Sequence, residues 1–335
     1  MDATLTGLRM GVETYSSPAK AILCGEHFVV YRGRAIACAI PKRAYATASA
    51  SNDGMISIEM LDEGQSCVWR GDKVVKSSDR RTIKRLRPLK TMLDYIMERY
   101  GAKGFKLRIK SEIPRGMGLG SSASVSLAAA SACLSASNID PTPTVVTDVA
   151  SVAESVIHYR ASGIDLAVSL HGGVISFIRG EKPSQVPIGY GLELLLVSTE
   201  RGRRTGEMVK RVGNLREQFV SIFDKLLAAN DEICSEMELA LSNQRLERVG
   251  HLLLLSHNLL RTIGVSNKQL DLAVESAMEA GALGAKLTGA GGGGYVIAIP
   301  AENKAREVAQ ALQDRFRVEV VRIPHEGLRR EETAV

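Results

Sequence analysis

The stretch "IPRGMGLGSSAS", residues 113–124, decides how the rest of the chain is read. Gly116, Gly118 and Gly120 lie between two unlike segments. Before them, "GFKLRIKSEIP" (104–114) alternates, with Phe105, Leu107 and Ile109 on one face and Lys106, Arg108 and Lys110 on the other, as a half-buried strand does. After them, "SSASVSLAAASACLSAS" is rich in small residues and reads as a helix packed close to its neighbours, starting near Ser121-Ser122. Glycines let backbone N–H groups approach an anion, and a helix N-terminus adds uncapped donors and its dipole. Strand, glycine loop and helix therefore read as a phosphate cradle.

Two better-known phosphate loops are excluded. A P-loop needs G-x-x-x-x-G-K-[ST], and no lysine stands in that place. Gly118, Gly120 and Ala123 match G-x-G-x-x-[GA], but the following helix runs into "NIDPTP" rather than a second strand. The acidic residue of a dinucleotide site then has nowhere to stand.

Further motifs lie on either side of the loop. In "SPAKAILCGEHFVVY" (17–31), Lys20 falls in a strand-like run that Gly25-Glu26-His27 breaks. In "KLTGAGGGGYVIAI" (286–299), five glycines fall within residues 289–294 ahead of an apolar strand. A hairpin turn needs one or two glycines, so five imply backbone lying against something, such as a phosphate or substrate. In "HYRASGIDLAVSLHGG" (158–173), Asp165 sits in a tight Ser-Gly-Ile-Asp turn, and upstream Glu154 shares a helix face with His158. Two carboxylates, a hydroxyl-bearing phosphate loop and a lysine are the parts of Mg2+-dependent phosphoryl transfer. One carboxylate and a serine hydroxyl suit Mg2+, and the other carboxylate can accept the proton of an attacking hydroxyl.

The totals agree with a small-molecule enzyme. At 335 residues, with 45% hydrophobic and 24% charged residues, the chain suits two globular domains. Pro and Gly accumulate in "RGEKPSQVPIGYG" (179–191), which sets the expected domains at 1–185 and 186–335. The formal charge of +6 suits an anionic substrate. Aromatics are 4%, and none interleave with the basic run "RRTIKRLRPLK" (80–90), so no base-stacking platform is expected and the run reads as a solvated helix face. Five cysteines at scattered spacings form no C-x-x-C and read as core residues. No apolar stretch approaches the roughly 20 residues of a membrane span. Residues 1–17 hold no signal-peptide core, and a cytoplasmic protein is expected.

The spacing predicts a helix over 147–159 capped by Thr147 or Asp148 and a strand over 192–198. Helices are expected over 205–229, 231–260 and 302–315, with a last strand at "VEVVRIP". This order makes the second half an α+β sandwich.

Taken together, the motifs resemble the GHMP superfamily of small-molecule kinases and, within it, the mevalonate kinase family. "SPAKAILCGEHFVVY", "PRGMGLGSSASVS" and "KLTGAGGGG" are similar to its three signature motifs. "RRTGEMVKRV" (203–212) resembles its Arg-x-Thr-x-x-x-Val segment, and "HNLLRTIGVSNKQLD" (257–271) the helix and turn before the third motif. The resemblance spans roughly residues 14–300 and implies an α+β, two-domain fold. The N-terminal domain would carry a left-handed βαβ-type nucleotide site and the C-terminal domain a ferredoxin-like sandwich. It also implies ATP and mevalonate as substrates, Mg2+ as cofactor, no nucleic acid or membrane partner, and leaves a homodimer open.

Carried over by residue, Pro114, Gly116, Gly118, Leu119, Gly120, Ser121, Ser122 and Ala123 would bind ATP. Ser122 and Glu154 would hold the metal, the family's metal-binding glutamate standing eleven residues before the catalytic aspartate, here Asp165. Asp165 and Lys20 would be catalytic. Lys20, Glu26, His27, Asp165, Arg203, Thr205, Gly291 and Gly292 would line the acceptor side. The chain departs from the family pattern at Tyr159, Arg160, Ala161 and Leu166, and carries Arg32 and Arg34 where Gly and Pro are usual. An arginine at 160 can meet an anion, so phosphorylation of phosphomevalonate or of the mevalonate 3-hydroxyl stays open, as does a non-catalytic ligand sensor on the same scaffold.

Overall fold

The computed structural model describes residues 11–157, 162–189, 191–199 and 205–332. Along the first half run β1 (Glu13–Cys24), β2 (Ala35–Ser51), β3 (Met55–Met60), β4 (Gln65–Arg70), β5 (Lys73–Ser77), β6 (Gly104–Ser111), β7 (Val174–Phe177) and β8 (Ser184–Gln185). The second half contributes β9 (Glu193–Ser198), β10 (Ala282–Thr288), β11 (Tyr295–Pro300) and β12 (Arg317–Arg322). A last strand, β13 (Arg329–Arg330), returns to the first half and pairs antiparallel with β1. The helices are α1 (Arg80–Tyr100), α2 (Ser121–Ala136), α3 (Pro143–Ile157), α4 (Ile164–His171), α5 (Thr205–Gln218), α6 (Val220–Ser242), α7 (Leu246–Thr262), α8 (Lys268–Glu279) and α9 (Ala305–Leu312). Among the described residues none is long and apolar enough to cross a membrane.

The first sheet runs β13-β1-β2-β6-β3-β4-β5, with β7 paired to β2 and β8 to β7. Its strand β6 alternates as its sequence dictates, with Phe105, Leu107 and Ile109 buried and Lys106, Arg108 and Lys110 exposed. β3 and β6 are parallel, and the crossover between them passes through β4, β5 and α1. α2 packs on β1 and β2. Ala123, Ala128, Ala129, Ala130 and Ala132 are fully buried on it, and such short side chains let helix and sheet backbones come close. A leucine at Ala129 would overpack that interface at a cost of about 1–3 kcal/mol.

The second sheet has the order β10-β11-β9-β12, every neighbouring pair antiparallel. With α5 to α8 between β9 and β10, and α9 between β11 and β12, this is a ferredoxin-like sandwich, as expected for the second half. All five cysteines are buried and unpaired.

Several helix boundaries differ from the sequence reading. α3 begins at Pro143 rather than Thr147. Proline suits the first helical position, where its missing N–H costs nothing. Thr147 instead donates back to the Pro143 carbonyl at 2.7 Å, and Asp148 accepts from Tyr95 on α1 at 2.8 Å. The long helical region breaks at Phe219 and at 243–245, not near 230. Asn230 resembles a helix end but is buried, its side-chain amide donating to the Arg34 carbonyl at 3.0 Å. The last helix is shorter than 302–315.

The basic run 80–90 is more than a solvated face. Asp79 caps α1 by accepting from the Thr82 N–H at 2.7 Å. Lys84 and Arg87 are exposed, whereas Leu86 and Leu89 are buried. A third side of the helix borders the cavity described next.

Candidate active site

A cavity of about 960 Å³ opens between the glycine loop, β1 and the starts of α2 and α4. The loop enters α2 through three residues in the left-handed region, Gly116 (φ 68°), Gly118 (φ 87°) and Gly120 (φ 74°). Only glycine takes this conformation without strain. At Gly120 the requirement is doubled, because a Cβ there would meet the stem of Lys20 at 2.8 Å. No side chain caps the first turn of α2, and Gly120, Ser121 and Ser122 border the cavity. Uncapped N–H groups at a helix start form a site for an anion. Pro114, Gly116, Gly118 and Leu119 also line it, while Ala123 points into the core.

Lys20 is the junction of the site. It lies on β1, whose backbone is tied to the loop by the Lys20 N–H donating to the Leu119 carbonyl at 3.0 Å. Its Nζ donates to the Gly118 carbonyl at 3.0 Å and pairs with Asp165 Oδ1 at 3.1 Å. The lysine side chain is 4% exposed and the aspartate 32%, so the pair has one buried partner and one that meets the cavity. Asp165 stands in the first turn of α4, which starts from Gly163 at φ 89°.

Glu154, near the end of α3, reaches the same place. Ser122 donates to its Oε2 at 3.3 Å and Ser126 to its Oε1 at 3.4 Å. Burial, with the Asp165 charge adding to it, pushes its carboxyl up to about 7 despite the two hydroxyl donors. A cation between the two carboxylates relieves that opposition, and two carboxylates with a hydroxyl are the hard oxygen donors Mg2+ takes. The donor set therefore fits Mg2+. Among the described residues no three His, Cys, Asp or Glu side chains converge as a metal group. Mg2+ normally completes its shell with waters and phosphates rather than with an all-protein cage.

Glu26 and His27 border the cavity from the turn after β1. His27 has φ 64°, rare for a histidine. Its Nε2–H donates to the Ala290 carbonyl at 2.9 Å, and burial holds its pKa down at about 4, so the ring is neutral at ordinary pH. Glu26 turns inward to Lys286, which is fully buried and also donates to the carbonyls of Ile22 (3.2 Å) and Leu287 (2.6 Å). Burial raises the Glu26 pKa and the Lys286 charge opposes that rise.

The third glycine motif closes against the first loop. Gly289 (φ 85°) lies on Gly118, where a Cβ would come within 2.9 Å of the Gly118 Cα. Gly289 and Ala290 reach the cavity; Gly291 and Gly292 are buried behind them, with the Gly292 N–H donating to the Val265 carbonyl at 2.8 Å. Thr205 opens α5, whose Gly206, Val209, Lys210 and Asn214 line the far wall. His158, Tyr159, Arg160, Ala161 and Arg203 lie outside the described residues.

Three groups of residues at or behind the site were not legible beforehand. Arg85, Leu86, Pro88 and Leu89 of α1, with Met60, form one cavity wall. Lys286 had a visible signal, a lysine in the apolar run of β10. His257 had none: it accepts from the Leu287 N–H at 3.4 Å and pairs through Nε2 with Asp271 at 3.2 Å.

Comparison with known proteins agrees with this arrangement. Residues 87–173 match the family model of the GHMP kinases N terminal domain, and residues 237–318 that of the GHMP kinases C terminal. The chain is 35% identical over 331 residues to a mevalonate kinase of Thermococcus sibiricus, covering 95% of this chain and 98% of that one. It is 36% identical over 330 residues to one of Thermococcus gammatolerans, with the same coverage. The crystal structure of the Methanococcus jannaschii mevalonate kinase superposes with a TM-score of 0.77 at 26% identity, over 94% of this chain and 99% of that one. With its glycine loop at a helix start, two carboxylates and a buried lysine in one cavity, the chain belongs to the GHMP kinase superfamily and, within it, to the mevalonate kinase family.

Proposed function

We propose that this protein transfers the γ-phosphoryl group of ATP to the 5-hydroxyl of (R)-mevalonate, giving 5-phosphomevalonate and ADP. The observation that carries the reading is the Lys20–Asp165 pair, 3.1 Å apart at the cavity wall, directly beside the loop carbonyl of Gly118. A carboxylate held by a lysine next to a phosphate cradle is placed to take a proton from a hydroxyl as that oxygen attacks phosphorus. The names of the relatives supply the substrate.

In this reading the N–H groups of Gly116 to Ser122 hold the triphosphate. The acceptor oxygen attacks the γ-phosphorus, its bond to the β-phosphate oxygen breaks, and the hydroxyl proton passes to Asp165. Lys20, a buried and fixed charge, stabilises the charge developing on the acceptor oxygen. Ser122 and Glu154 hold Mg2+, which when bound neutralises phosphate charge. His27, its Nε2–H committed to Ala290, offers Nδ1 as an acceptor to a substrate hydroxyl. Glu26 shapes the floor through Lys286. Arg203 and Thr205 complete the acceptor side, and Gly291 and Gly292 support the loop behind Ala290. We place the division between the two domains at 185/186.

The test is ADP release with Mg-ATP across mevalonate, 5-phosphomevalonate, homoserine and galactose, with phosphorus NMR of each product. Phosphate on the 5-oxygen of mevalonate is expected. Turnover confined to 5-phosphomevalonate, or phosphate on the 3-oxygen, would replace the substrate assignment, and binding without ADP release would replace catalysis with sensing.

A further inference from the structure

The stretch that carries Asp165 ends in two consecutive glycines, Gly172 and Gly173, which phosphoryl transfer does not require. Both have positive φ, 71° and 62°. They receive the end of the chain. After β12 the backbone leaves the second sheet and crosses to the first, where the Gly173 N–H donates to the Pro324 carbonyl at 2.9 Å. The Leu328 N–H donates to the Leu170 carbonyl at 3.1 Å, and the Glu331 N–H to the Thr14 carbonyl at 2.8 Å. Gly172 and Gly327 sit back to back. A Cβ on either would overlap backbone atoms of the other segment, those of 325–327 in one case and of 170–172 in the other. Arg43, buried beneath, donates to the Gly327 carbonyl at 2.6 Å and to Ser16 on β1.

The opposite end of α4 is held by side chains: Ile164 and Leu166 are buried, the Ile164 N–H donates to the Ser162 hydroxyl at 3.4 Å, and Asp165 pairs with Lys20. Gly163 offers no side-chain cap, and Asp165 follows two residues later. α4 has eight residues, about 12 Å at 1.5 Å per residue, a span short enough to couple the placement of its last turn to that of Asp165. Two further hydrogen bonds, Ser17 donating to the Ser169 carbonyl at 3.0 Å and the Ser124–Ser169 contact at 3.4 Å, strengthen its last turn. The carboxylate is thus placed from both ends of its helix, locally by Lys20 and the buried Ile164 and Leu166, and from the far end by the returning chain.

We infer that the C-terminal segment 323–331 is a positioning element for Asp165: by clasping the Leu170–Gly173 end of α4 it sets where the carboxylate stands relative to Lys20. Gly327 is the positioning residue that permits the clasp. The inference rests on the proposed role of Asp165. A misplacement of about 1 Å remote from the chemistry can lower the rate about 100-fold.

Gly327→Ala tests it. The expected result is a kcat about 10-fold or more below wild type with KM for ATP within about twofold, because the glycine loop is untouched. In an Asp165→Asn background the same substitution should cost nothing further, since the group it misplaces is already gone. Wild-type kcat in Gly327→Ala, or an undiminished further loss in the Asp165→Asn background, would overturn the inference. Hydrogen exchange of the unsubstituted protein supplies a readout that needs no variant. With mevalonate and a non-hydrolysable Mg-ATP analogue bound, segments 164–173 and 323–331 should slow together; slowing of 164–173 alone overturns the clasp. If Asp165→Asn itself keeps wild-type kcat, the proposed role of Asp165 fails, an outcome distinct from failure of the clasp alone.

Discussion

Two lysine–carboxylate pairs involve β1 and the turn after it, and their chemistry is the same while their surroundings are not. Lys20 meets Asp165 at the cavity wall, where the aspartate is 32% exposed. Lys286 meets Glu26 with both side chains at 1% exposure or less, and the lysine has two backbone carbonyls besides. An exposed carboxylate can gain and lose a proton and meet a substrate. A sealed one can do neither without a large desolvation cost. Position relative to solvent separates the pair proposed to be reactive from the one that is sealed.

The sharpest way to break the comparison is at the open pair. Asp165→Asn keeps the side chain's shape and removes its basicity. It should lower kcat by about 10²–10⁴-fold while ATP affinity, read by calorimetry, stays near wild type. A variant with wild-type kcat would place proton acceptance elsewhere. At the sealed pair the loss should appear in stability instead. Lys286→Met leaves Glu26 buried and uncompensated, which should cost about 3–5 kcal/mol in urea unfolding. Adding Glu26→Gln should recover part of it, because the orphaned charge is removed; no recovery would show that the lysine acts mainly through its bonds to Ile22 and Leu287.

Acid should probe the sealed side next. Burial holds both His27 and His257 at about 4, below the usual 6.5, with Lys286 contributing at His257. The unfolded chain takes up these protons as pH falls through 6.5, and the folded chain only near 4. Stability present above 6.5 is therefore lost progressively between those values, by about 3 kcal/mol per histidine. Unfolding midpoints measured from pH 7.5 to 4.5 check this, and His257→Gln should flatten the slope. The smallest effect belongs to a third pair, Lys42 with Glu319, which joins β2 to β12 at 2.6 Å with both partners partly exposed. Lys42→Ala should change stability by less than about 1 kcal/mol and leave kcat unchanged.

Parts of this site could be read from the chain because their chemistry is local. Three glycines between an alternating strand and a small-residue helix force a left-handed loop at a helix start, whatever else the protein does. Lys20 stands in the first motif, and the resemblance to the kinase family implied that Glu154 partners Asp165. The Arg85 to Leu89 wall was hidden because the same basic sequence serves an exposed helix face equally well. Thr147 looked like a cap because threonine is a good one, but proline at 143 outcompeted it from upstream.

The sequence by itself determined the left-handed glycine loop, the alternating strand β6, the small-residue helix α2 and the residue types of the site, since each follows from backbone conformation or short-range periodicity. Only the tertiary structure decided which of the two lysine-paired carboxylates faces solvent, that His257 is a buried neutral partner of Asp271, and that Gly172 stands where it admits Gly327. Those outcomes depend on contacts between residues tens to hundreds of positions apart, brought together when two sheets and the returning C-terminal strand pack, and no local pattern encodes the burial that results.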